Sequence, residues 1–116
     1  MKSFPSWLDL LESGALARRA SDARARLRAC DLCGRRCGVD RLTGTLPGSC
    51  RTGSRSVVAS WGPHHGEEGP IRGSRGSGTV FFSRCNLSCA YCQNFELSHS
   101  GEGREVTAMA LAAVFL

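Results

Sequence analysis

With 116 residues the chain can bury one modest core, but it falls short of a complete barrel of alternating strands and helices, which takes roughly 200 to 250 residues. The longest apolar run cannot cross a bilayer and no apolar signal segment opens the N-terminus, so the seven cysteines read as metal ligands in the cytoplasm rather than as secretory disulfides. A formal charge of +5, from 15 Lys and Arg against 10 Asp and Glu, fits either a nucleic-acid partner or compensation of thiolate charge; Arg28, Arg35, Arg36, Arg41 and Arg51 stand among cysteines, which favours compensation and solvated surface over nucleic acid.

Ser6-Trp7-Leu8-Asp9 reads as a helix start, with Ser6 as N-cap and Asp9 near the first-turn amides, and Gly14 ends that short helix. Leu16, Ala20, Ala23 and Leu27 recur at steps of four, three and four, which predicts a second helix over Ala15–Ala29 with arginines opposite its apolar stripe.

Cys30, Cys33, Cys37 and Cys50 follow with the spacing C-x2-C-x3-C-x12-C on a loop carrying Gly34, Gly38, Gly44, Pro47 and Gly48. Four thiolates in a segment too poor in apolar residues to hide them suit a closed four-cysteine site for zinc or an iron-sulfur cluster, and the two metals stay open. The bacterial ferredoxin run is a poor match, because the last gap is long and no proline follows the last cysteine.

Ser56–Trp61 has strand composition and Gly62-Pro63 is expected to break it. His64 and His65 at that turn read as solvated polar residues, since no spacing links them to a site. Gly73-Ser74-Arg75-Gly76-Ser77-Gly78 lacks the Gly-Lys-Ser/Thr of a phosphate loop and precedes a strand instead of a helix. Thr79-Val80-Phe81-Phe82 then reads as a short, continuously apolar strand of parallel type, whose neighbours are not expected within the chain.

The strand delivers Cys85-Asn86-Leu87-Ser88-Cys89-Ala90-Tyr91-Cys92, three thiolates within eight residues. Positions 85, 89 and 92 would share a helix face, yet Asn86 and Ser88 favour loop and Leu87 falls off that face, so a cluster-wrapping loop is the better reading than a buried core. Three thiolates suit three corners of an iron-sulfur cube, leaving one iron open to substrate. A helix is expected from about Thr107 to cover the strand. The run Ala110–Leu116 stops inside an apolar stretch without a polar cap, which reads as the N-terminal fragment of a longer protein.

The spacing C-x3-C-x2-C with an aromatic before the third cysteine resembles the signature of the radical S-adenosylmethionine (radical SAM) enzymes. Gly66-Glu67-Glu68, Gly76–Phe82, Tyr91-Cys92-Gln93-Asn94 and the upstream four cysteines are similar to the pyruvate formate-lyase activating enzyme-like branch, apart from Gly34, where that branch often has proline. The resemblance implies an α/β fold: the start of a partial (β/α) barrel preceded by a helix and a metal-binding loop, with segments 1–29, 30–55 and 56–116. It implies that Cys85, Cys89 and Cys92 ligate a 4Fe-4S cluster whose fourth iron is chelated by S-adenosylmethionine, and that Tyr91 lies against the adenine. A reduced cluster would cleave S-adenosylmethionine to methionine and a 5'-deoxyadenosyl radical. Glu67 or Glu68 would stand near the cluster and contact substrate, while Gln93 and Asn94 would fix the loop. Partners would be an electron donor such as flavodoxin or ferredoxin and a protein substrate, a glycyl radical enzyme. Two other classes are compatible with parts of the chain. A zinc-binding nucleic-acid module leaves the second cysteine group unexplained, and a two-cluster electron carrier needs a fourth cysteine near Cys92.

Overall fold

The computed structural model describes residues 5–44 and 48–115. Pro47 in the glycine-rich loop and Leu116 at the end of the apolar run lie outside them.

Two helices open the chain, α1 (Trp7–Glu12) and α2 (Ala15–Ala25), broken at Gly14 by its left-handed φ of +69°. Ser6 does not cap α1 as the sequence suggests. Its backbone is already helical (φ −61°, ψ −16°), so its side chain makes no cap hydrogen bond, and the first turn closes instead through the Leu8 N–H donating to the Pro5 carbonyl at 3.1 Å. The helix expected to reach Ala29 is α-helical only to Ala25 and tightens to a 3-10 turn over Arg26–Ala29. There the Leu27 carbonyl accepts from the Arg41 N–H at 2.8 Å, so the returning cysteine loop takes an acceptor that a continuing helix would have used. No residue of α2 is buried, and its apolar stripe is covered only in part, at Leu27.

A three-stranded sheet follows in the order β2-β1-β3, formed by β1 (Ser56–His64), β2 (Ser77–Phe82) and β3 (Arg104–Val106). Both pairings are antiparallel, which overturns the expectation of a lone parallel strand at Thr79–Phe82. The reason lies in the connection. The chain between His64 and Ser77 holds only the single helical turn α3 (Gly69–Arg72) and turns back at Gly73 (φ +54°) and Gly76 (φ +82°), so β2 returns alongside β1 instead of crossing over. Strand β1 also runs on through Gly62 and Pro63 to His64. It pairs with β3 only at Ser56, Val57 and Val58, so Pro63 sits where β1 has no neighbour on that side and its missing N–H is tolerated as on an edge. A bulge between Val58 and Ser60 shifts the β1–β2 register. Among the described residues the sheet does not close and no barrel is present.

Helix α4 (Ala108–Val114) begins as expected, with the Thr107 hydroxyl accepting from the Ala110 N–H at 3.1 Å. Its C-terminal end meets the hairpin, where Val114 and Phe115 line a cavity of about 130 Å³ with Trp61, Thr79 and Val80. None of its residues is buried.

Among the described residues the apolar core is small, with Cys30, Val57 and Val58 as its buried members. The accessible surface of 8845 Å² compares with roughly 6,100 Å² for a compact monomer of 12.4 kDa. A radius of gyration of 16.8 Å compares with roughly 13 Å for a compact domain of this length. Trp61, Phe82 and Phe115 remain exposed. Among the described residues no helix is long and apolar enough to cross a membrane.

Candidate metal centre

The end of β2 positions the second cysteine group. Ser83, 4% exposed, donates its N–H to the Val57 carbonyl at 2.9 Å and its hydroxyl to the Glu102 carbonyl, which ties the strand end to the turn before β3. Arg84 then takes a left-handed φ of +71° and donates its N–H to the Leu97 carbonyl at 2.7 Å, so the chain bends as Cys85 begins the loop. A second left-handed residue, Ser88 (φ +51°), precedes Cys89, and the Cys92 N–H closes a turn on the Cys89 carbonyl at 3.2 Å.

The upstream loop is closed at its neck by Cys30, whose N–H donates to the Val39 carbonyl at 3.0 Å and whose carbonyl accepts from Gly38 at 2.9 Å. Inside this ring the Arg36 N–H turns onto the Cys33 carbonyl at 3.0 Å. The Arg26–Asp31 ion pair at 2.7 Å joins the 3-10 turn after α2 to the loop. Here too the left-handed non-glycine residues are Arg36, preceding Cys37, and Arg51, following Cys50. Among the described residues every non-glycine residue with positive φ therefore adjoins a cysteine of one group or the other. Such conformations cost of order 1 kcal/mol each and persist where the surroundings over-determine them.

The two groups meet. A cavity of about 320 Å³ is lined by Cys30, Cys33, Cys37 and Cys50 together with Cys85, and by Arg41. All seven cysteines are free thiols. Among the described residues no group of three or more His, Cys, Asp or Glu side chains is arranged to hold a metal ion. The donor chemistry fits one nonetheless: soft sulfur ligands sit on loops whose amides point at them, and thiolates converge fully only when a cation offsets their mutual repulsion. The Leu87 N–H donates to Cys85 Sγ at 3.3 Å. That bond, with a second from the Ser88 backbone, holds the Cys85 thiol below its ordinary pKa. The Leu32 backbone amide does the same for Cys30, aided by the Arg41 guanidinium 3.7 Å from its sulfur and opposed by burial. For Cys33 the leading cause is a hydrogen bond from the Asn86 side chain, in the other cysteine loop.

Some sequence-predicted residues stay apart from this region. Glu67 and Glu68 follow the far end of β1, beside the start of β2, whereas the cysteine loop leaves the other end of β2. Six strand residues separate the two ends by roughly 20 Å, so the carboxylates are not beside the thiols as the resemblance implies. His64 packs edge-on against Phe81, with ring centroids 6.0 Å apart, and lies 3.4 Å from Glu67; His65 is exposed. Tyr91 is 91% exposed, and Gln93 and Asn94 are exposed beside it.

Other contributors were missed in the sequence. Arg35 donates from Nε to the Asn86 carbonyl at 2.9 Å and from Nη2 to the Leu87 carbonyl at 3.4 Å. Arg51 donates to the His99 carbonyl at 2.7 Å, and the Arg84 guanidinium returns a bond to the Arg51 carbonyl. Arg41 spans the Thr52 and Gly53 carbonyls at 2.7 and 2.9 Å. These arginines hold loop carbonyls, a role the sequence reading did not give them. Ser98, buried within a π-helical turn (Glu96–Ser100), reaches Cys92 Sγ at 3.4 Å.

No family model matches the chain. An uncharacterized protein of Methanocaldococcus jannaschii is similar to it, 32% identical over 91 residues, which cover 78% of this chain and 25% of the relative. The chain thus spans about a quarter of that relative's length. No solved structure matches.

Proposed function

We propose that the chain carries the cluster-binding element of a radical SAM enzyme of the pyruvate formate-lyase activating enzyme-like branch, with the rest of the catalytic barrel supplied by further polypeptide. The observation that carries this reading is the loop after β2, where three thiols spaced C-x3-C-x2-C lie on a backbone bent at Arg84 and Ser88, each immediately before a cysteine. Cys85, Cys89 and Cys92 would hold a 4Fe-4S cluster that leaves room for S-adenosylmethionine as a further ligand. When bound, the cluster supplies the electron that cleaves S-adenosylmethionine to methionine and a 5'-deoxyadenosyl radical.

The chain's own residues prepare that site. The Leu87 amide at Cys85 Sγ and the Ser98 hydroxyl at Cys92 Sγ disperse charge on the ligand sulfurs, which sets the reduction potential. Tyr91, free of packing, is available to lie against the adenine. Cys30, Cys33, Cys37 and Cys50 form a second metal site, for zinc or an iron-sulfur cluster. The protein works in the cytoplasm with a small electron donor such as flavodoxin or ferredoxin, and its substrate is a protein of the glycyl radical class. Against a nucleic-acid module stands the use of Arg35, Arg41 and Arg51 as donors to backbone carbonyls, which withdraws them from phosphate binding. The testing experiment is anaerobic reconstitution with iron and sulfide. Replacement of Cys85, Cys89 and Cys92 together by alanine should remove one cluster's worth of iron and acid-labile sulfide, and unchanged contents would refute the assignment.

A further inference from the structure

The two cysteine loops are far apart in sequence and joined in space by a small set of directional bonds. The Arg35 guanidinium spans the carbonyls of Asn86 and Leu87, at sequence separations of 51 and 52 residues. Both Arg35 bonds fall on the two residues that follow Cys85, and Cys85 lines the same cavity as all four upstream cysteines. Arg35 itself lies between Cys33 and Cys37, so a metal that fixes those two thiols also fixes the root of the guanidinium.

We infer that metal loading of the four-cysteine loop clamps the second loop through Arg35, so that the upstream centre sets the order of Cys85 and its neighbours. This rests on the reading of the upstream cysteines as a metal site. Arg35 is a positioning residue: it reaches neither substrate nor cluster, and it acts by holding the two carbonyls that follow Cys85. A planar guanidinium with two parallel donors fixes direction as well as distance, which a lysine ammonium does not. With the upstream loop unloaded, its backbone is held by the few neck and turn hydrogen bonds described above, and the clamp moves with it.

The test uses the 116-residue chain with Cys89→Ser and Cys92→Ser, so that the second loop cannot hold an ion of its own. Zinc content and the iodoacetamide alkylation rate of each remaining cysteine are measured with and without zinc by mass spectrometry. The expected result is one zinc per chain, protection of the four upstream cysteines, and slowing of Cys85 alkylation by about fivefold or more as local opening is suppressed. Arg35→Ala should retain the zinc yet return Cys85 to its metal-free rate, and Arg35→Lys should give partial slowing. Zinc bound with Cys85 unslowed overturns the clamp and leaves the metal site standing. Absence of zinc binding and of upstream protection overturns the metal site, and the clamp with it. Cys85 still protected in Arg35→Ala, or zinc lost in that variant, overturns the role of Arg35. A cobalt charge-transfer spectrum weakened by a further Cys85→Ser change would make Cys85 a ligand and overturn the clamp as well.

Discussion

The Ser98 hydroxyl lies 3.4 Å from the Cys92 sulfur and 2.7 Å from His99 Nδ1, in a π-helical turn where Phe95 and His99 stack at 4.0 Å. With a proton on Nδ1, His99 donates to the Ser98 oxygen, and the serine proton is shared between the Cys92 sulfur and the Phe95 carbonyl at 3.2 Å. Ser98→Ala should therefore cost about 1 kcal/mol in denaturant unfolding followed by circular dichroism, the usual worth of one such bond. In the cluster-loaded protein the same change should make the reduction potential more negative, read by a redox titration, because the reduced cluster loses a donor to its ligand sulfur.

Gly103 makes a tighter demand on the backbone. At φ +138° a Cβ there would stand 2.6 Å from the Val58 carbonyl oxygen, at the point where β3 comes alongside β1. Neither atom belongs to a flexible side chain. Gly103→Ala should destabilise the sheet by about 2 kcal/mol or more, and hydrogen exchange should show the loss first in the β1–β3 amides while those of β1–β2 stay protected longer.

Cys85 should be reactive at lower pH than an ordinary thiol. The Leu87 and Ser88 amides stabilise its thiolate, so its pKa falls and the anion persists at pH values where a free cysteine is protonated. In the metal-free chain the pH profile of Cys85 alkylation should have its midpoint below the value of about 8.5 for free cysteine. A midpoint at or above that value would show that the amides do not face the sulfur in solution.

The positions of most elements could be read from the sequence, and their pairing could not. Gly14 ends the first helix by a left-handed break, as read, and the helix expected from about Thr107 begins there, with a side-chain cap from the Thr107 hydroxyl that the structure adds. The apolar runs at Ser56–Trp61 and Thr79–Phe82 are strands for the same local reason. Their antiparallel pairing depends on how the glycines between them turn the chain, and continuous apolarity at Val80-Phe81-Phe82 says nothing about which edge finds a partner. The cysteine spacings were visible; the meeting of the two groups was not. Arg35 carries no sign in the sequence of its bond to Asn86, because a charged side chain among cysteines serves equally as surface, counter-charge or donor.

Exposed apolar area should govern the behaviour of the isolated chain. Trp61 and Phe82 leave the sheet partly uncovered, and the small core does little to offset chain entropy. At raised concentration residues 1–116 should associate through these faces, as seen by light scattering, and should release no 5'-deoxyadenosine when reduced with S-adenosylmethionine. A chain that stays monodisperse at every concentration would mean that the open faces are covered in solution in a way the fold does not suggest.

The central claim is an iron site open to S-adenosylmethionine on Cys85, Cys89 and Cys92. Electron paramagnetic resonance of the reduced protein, anaerobically reconstituted with the proposed remainder of the barrel present, tests it most directly. The account predicts a 4Fe-4S signal whose shape changes when S-adenosylmethionine is added, and which Cys89→Ala abolishes, while Cys33→Ala lowers total metal and leaves the response in place. A signal indifferent to S-adenosylmethionine, or a response that survives removal of all three cysteines, would contradict it.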